Sequence, residues 1–139
     1  SKASSVALPP TDAVVEIETG EPCLDATILD QLEETIGQEA VASMLSMTVA
    51  EVPATVALIT VANAAGDLDK MRKEVHDLGS NFGSYGAMRL SNHARAIEKA
   101  CREGDAAEAS ELTVALPELV DETINVLIER IPALKAVGR

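Results

Sequence analysis

The sequence predicts an all-α protein, an antiparallel up-down four-helix bundle with a short extra N-terminal helix. Three observations carry this. From Cys23 onward, apolar residues recur at three- and four-residue steps, the spacing that lines one face of a helix. Nowhere in that region do apolar and polar residues alternate as in a half-buried strand. A Gly–Asp pair recurs at Gly66–Asp67 and Gly104–Asp105, and such a pair ends one helix and caps the next.

Residues 1–22 stand apart from this pattern. They hold three serines, the Pro9–Pro10 pair, Gly20 and Pro22, and are expected to form a flexible N-terminal tail or linker. Val14, Val15 and Ile17 suit a short strand, but no partner strand follows. The bundle domain is expected over residues 23–139. Asp25 caps a short first helix with Ile28, Leu29, Leu32 and Ile36 on its stripe, and Gly37 ends it. A long second run carries Val41, Met44, Leu45, Thr48, Val52, Val56, Ile59 and Ala62. Pro53 inside it removes a donor and predicts a kink or a restart. Leu68, Met71, Val75, Leu78 and Phe82 form the stripe of a third helix, and Leu90, Ala94, Ile97 and Cys101 that of a fourth. The last run holds Leu112, Leu116, Leu119, Ile124, Leu127, Ile128 and Ile131, with a kink predicted at Pro117.

Composition removes several classes of function. The 139 residues include 11 Lys and Arg against 23 Asp and Glu, for a net charge of −12. One Phe, one Tyr and no Trp leave little on which bases could stack. No nucleic-acid partner is therefore expected. Uninterrupted apolar runs are short, so no membrane span is expected. The chain opens without Met, as a processed product or a piece of a longer protein does, and shows no secretion signal. The expected location is the cytoplasm and the expected state a monomer. Cys23 and Cys101 are far apart, with no CxxC pair or Cys/His cluster. They read as reduced thiols, with Cys101 in the core and no metal site.

The chemistry concentrates around His76. About 100° of rotation per residue places it roughly 120° from the centre of the third helix's apolar stripe, and so in solvent. Arg72, Gly79 and Gly83 share its flank, with Ser80 one turn beyond it. Two glycines on one helix face cost about 1 kcal/mol each against Ala. They either bare the backbone as a docking surface beside the imidazole or mark a fraying helix end before Tyr85–Gly86. On the fourth helix, Glu98 and His93 lie on opposite sides of the stripe, each roughly 70° away. Only one of them can face His76. His93 reads as a boundary or surface histidine.

Residues 75–90 read VHDLGSNFGSYGAMRL, followed by SNHARAIE. This segment resembles the histidine-containing phosphotransfer (HPt) domain of multistep phosphorelays. The matches are His76, Leu78, Ser80, Gly86, Ala87, Leu90, Ile97 and Glu98, with fitting helix order over about residues 25–132. The resemblance implies that His76 accepts a phosphoryl group from a receiver-domain aspartate and passes it to another receiver. It assigns Glu98 as the acceptor that holds the His76 ring N–H. The expected partners are receiver domains of response regulators or hybrid histidine kinases. No cofactor of the chain's own is expected, because the receiver supplies Mg²⁺. No glycine-rich nucleotide loop or ATP lid occurs, so autonomous kinase activity is not expected.

One position departs from the family pattern. The lysine usual three residues after the histidine is Gly79 here. Arg72 and Lys73 are the nearest cations by helix geometry and are expected to stand in for it, Arg72 through a bidentate contact. A degenerate receiver-binding module without phosphotransfer, or an acidic helical scaffold, are the alternative readings.

Overall fold

Three aspartates start helices. Asp25 accepts from Thr27 N, Asp67 from Lys70 N and Asp105 from Glu108 N, each at 3.1 Å. Each carboxylate satisfies a backbone donor that has no partner inside its helix. Gly66 and Gly104, with φ of 71° and 73°, turn the chain immediately before the last two caps. In the computed structural model, which describes residues 22–136, the elements are α1 (Ala26–Ile36), α2 (Gln38–Ala65), α3 (Leu68–Gly83), α4 (Met88–Arg102), α5 (Ala106–Val114) and α6 (Leu116–Arg130). A 3₁₀ helix follows at Pro132–Ala136. The chain is all-α, a bundle of helices with no strand among the described residues. The expected tail at residues 1–22 lies outside the described residues, except for Pro22.

The stripes foreseen on α3 and α4 form the core. Met71, Val75, Leu78 and Phe82 of α3 are buried, as are Leu90, Ala94, Ile97 and Cys101 of α4. From α2, Val41, Leu45, Val49, Val52, Ile59 and Ala62 complete one side, and from α6, Val120, Ile124 and Leu127 another. Both cysteines are free thiols.

At Pro53 one of the two expected outcomes is removed, and Pro117 departs from expectation. α2 runs unbroken through Pro53, so the expected restart does not occur. Pro53 lies on the exposed face, so its ring meets solvent and not the core, and the cost is the one N–H that Val49 O would otherwise accept from. Pro117 does not kink one long helix but sits in the first turn of a new one, α6. A first-turn residue has no intrahelical partner for its N–H, so proline costs little there. The expected fourth long helix is thus two helices, α5 and α6, that meet at Ala115.

α2 is more continuously apolar than the short runs along the sequence suggest. Its 28 residues are long and apolar enough, by length and composition, to cross a membrane, and only 22% of its most apolar window is buried in the bundle. Charges interrupt it so rarely that short apolar segments, joined by Ala, Thr and Ser, sum to one apolar helix. Met44, expected on the core stripe, is exposed, together with Met47, Leu58 and Val61.

α1 closes one end of the bundle. Asp25 N donates to Gly86 O at 2.7 Å in the turn between α3 and α4. Arg130 of α6 bonds Glu33 of α1 at 2.7 Å and also reaches Asp30. Gly86 has φ of 85°, and a Cβ there would lie 2.5 Å from Asp25 O. Both its dihedral and its contact demand glycine.

Candidate functional site

Small residues set the distance between α3 and α4. A Cβ added at Gly79 would stand 2.8 Å from the Ala94 Cβ, and one at Gly83 would stand 3.0 Å from the Ser91 Oγ. The bare flank of α3 is therefore turned against α4. Gly79 is buried and Gly83 half-buried, which corrects the expectation of a glycine-lined docking surface. The angle from the apolar stripe located the flank correctly, but a neighbouring helix covers it. These contacts pair 79 with 94 and 83 with 91, an antiparallel register that brings position 98 opposite position 76.

That approach makes the central contact of the site. His76 Nδ1 lies 2.9 Å from Glu98 Oε2. The His76 side chain is 59% exposed and that of Glu98 only 15%, so a mostly covered carboxylate holds a mostly open ring. An ionised carboxylate only accepts, so Nδ1 carries the proton and donates. In the neutral ring the lone pair then belongs to Nε2, for which no protein partner occurs among the described residues. Arg102 NH1, one turn further along α4, lies 3.3 Å from the same Glu98 oxygen and helps to hold the carboxylate.

A cleft of about 360 Å³ opens beside the ring, lined by His76, Gly79 and Ser80 from α3 and by Ala94, Arg95, Glu98 and Arg102 from α4. Ser80 is exposed on its rim. Arg72 and Lys73 do not line it. Arg72 instead pairs with Asp69 at 3.3 Å, one turn back along α3. The cations beside His76 come from α4, and sequence reasoning missed both. Their signal is present in the spacing: Arg95 and Arg102 stand three residues before and four after Glu98, on its flank of the helix.

The other nucleophiles are spoken for. His93 Nε2 donates to the Leu112 carbonyl at 2.7 Å, near the end of α5, a carbonyl that also accepts from Ala115 N at 3.3 Å. Burial pushes the Cys23 and Cys101 thiols up from their ordinary value, so both are protonated near neutral pH. No group of three or more His, Cys, Asp or Glu side chains among the described residues is placed to hold a metal ion.

An exposed histidine on one helix of a bundle, held through Nδ1 by a carboxylate on the next, sits within the part of the chain that a family comparison recognises. Residues 43–126 match the Hpt domain. The chain belongs to the Hpt domain family. The match runs from α2 into α6 and includes both His76 and Glu98, a narrower span than the 25–132 expected from the motif. No curated protein and no solved structure matches the chain. Hpt domains take part in phosphorelay histidine phosphotransfer and interact with receiver domains of response regulators.

Proposed function

We propose that this Hpt domain relays a phosphoryl group between receiver-domain aspartates through His76. The observation that carries the reading is the Nδ1–Glu98 bond on an exposed ring. It supports a single neutral tautomer with its lone pair on Nε2, the form that attacks phosphorus. In the forward step the Nε2 lone pair forms the N–P bond and the P–O bond to the donor aspartate breaks. The carboxylate leaves with its electron pair, and Nδ1–H stays on Glu98. The return step onto another receiver reverses these changes and regenerates the neutral ring. Mg²⁺ belongs to the receiver, which uses it to draw charge from the phosphoryl oxygens. In this reading the domain acts as a monomer in the cytoplasm and contributes an oriented nucleophile and no ATP chemistry.

A second reading is favoured by one observation, Gly79 in the place of the family's usual lysine. There the same face occupies receivers without accepting phosphate. Mixing the chain with a phosphorylated receiver separates the two. Acid-labile phosphate on the wild type and none on His76→Gln, with unchanged helix content, supports the relay. Receiver binding without label on the wild type supports the second reading and overturns the first.

A further inference from the structure

The register of α3 against α4 has a consequence for the charge that arrives with the phosphoryl group. Position 79 faces position 94, and the space a side chain would need there is filled by the Ala94 methyl. A longer side chain from α3 at that point would have to push Ala94 and its helix aside. Arg95, the residue after Ala94, reaches the same cleft from α4.

Arg95 also differs from the other described arginines in its partners. Arg72 pairs with Asp69, Arg89 with Glu122, Arg102 with Glu98, and Arg130 with Asp30 and Glu33. Arg95 bonds the neutral Asn92 Oδ1 at 2.6 Å, and no carboxylate partner occurs among the described residues. In a chain of net charge −12, an arginine beside a nucleophile and without a carboxylate is a reserved cation. Exchanging an amide oxygen for phosphoryl oxygens strengthens its hydrogen bonds, because the acceptor becomes charged. Arg102 is less available, since its guanidinium is already engaged by the carboxylate that orients the ring.

Resting on the relay reading, we propose that Arg95 is the phosphoryl-binding residue of this domain. It donates to the oxygens of phospho-His76 across the α3–α4 cleft and takes the place of a lysine that position 79 has no room for. Arg72 and Lys73 then play no part.

The test uses the whole chain phosphorylated with phosphoramidate and read by ³¹P NMR. A nearby guanidinium favours the dianionic phosphoryl group, so Arg95→Gln raises its second ionisation by up to about half a pH unit, the size of an exposed ion pair. Arg95→Gln also lowers phospho-His76 occupancy a few-fold, Arg95→Lys keeps most of both properties, and Arg72→Gln changes neither. A purely structural role for Arg95 would alter the thermal melt and leave the ionisation in place. The inference is overturned if Arg95→Gln titrates like the wild type, or if Arg72→Gln shifts the ionisation as far. A wild type that takes up phosphate nowhere, or equally in His76→Gln, removes the relay reading itself. An unchanged Arg95→Gln beside a normal wild type removes only the role of Arg95.

Discussion

The two ring nitrogens of His76 have different surroundings, and Glu98 makes the difference. Glu98→Ala frees Nδ1, mixes the tautomers and leaves Arg102 without its carboxylate. It should lower the rate of phosphoryl acceptance several-fold. Glu98→Gln keeps an oxygen that accepts from Nδ1–H and should retain most of the rate. Equal rates for wild type and Glu98→Ala, measured by labelling from a phosphorylated receiver, would separate Glu98 from the chemistry. His93 is the contrasting residue. Its bond to the Leu112 carbonyl ties α4 to α5, so His93→Ala should lose about 1 kcal/mol of stability in chemical denaturation. Phosphoryl acceptance should be unaffected. A dead His93→Ala with normal stability would move the acceptor away from His76.

Between elements, the deciding feature is the close approach of α3 to α4. Replacing Gly79 by Ala gains about 1 kcal/mol of helix propensity. It also forces a methyl to within 2.8 Å of the Ala94 Cβ, and overpacking typically costs about 1–3 kcal/mol. Gly79→Ala should therefore destabilise the bundle despite the better helix former. Splaying the helices would also draw Glu98 from His76 and slow phosphoryl acceptance. Ala94→Gly in the same chain removes the opposing methyl and should restore both stability and acceptance, a coupling that a double-mutant cycle measures. Additive effects of the two substitutions would show that the glycine serves some purpose other than this contact.

Across the whole molecule, α1 is held by two separate fastenings, the Asp25–Gly86 backbone bond and the Arg130 bonds to Glu33 and Asp30. Gly86→Ala strains a left-handed residue and drives a methyl into the Asp25 carbonyl at 2.5 Å. Strain of this kind costs about 1–3 kcal/mol, and the whole melting transition should move down. Gly104→Ala is the control. It has a similar φ, but nothing stands within 4 Å of the added Cβ. The smaller loss should be at Gly104; the reverse order would mean that α1 is not fastened through Gly86.

Much of this was readable along the chain because a helix has one period and its caps are local. Asp25, Asp67 and Asp105 announced their helices, and the stripes on α3 and α4 named the core. His76 followed as exposed because its angle from the α3 stripe depends on nothing outside that helix. Rotation and register between helices are not written in any one period. They arise from how side chains of two helices fit together, and here four small residues, Gly79, Gly83, Ser91 and Ala94, decide them. Sequence spacing could place Gly79 on the flank of His76 but not say that α4 lies against that flank. It could put Glu98 and His93 on opposite sides of α4, while the packing sent one to His76 and the other to α5. It drew attention to Arg72, a neighbour along α3, whereas the cations that line the cleft are neighbours through space, Arg95 and Arg102, brought there because α4 runs antiparallel to α3 at close range.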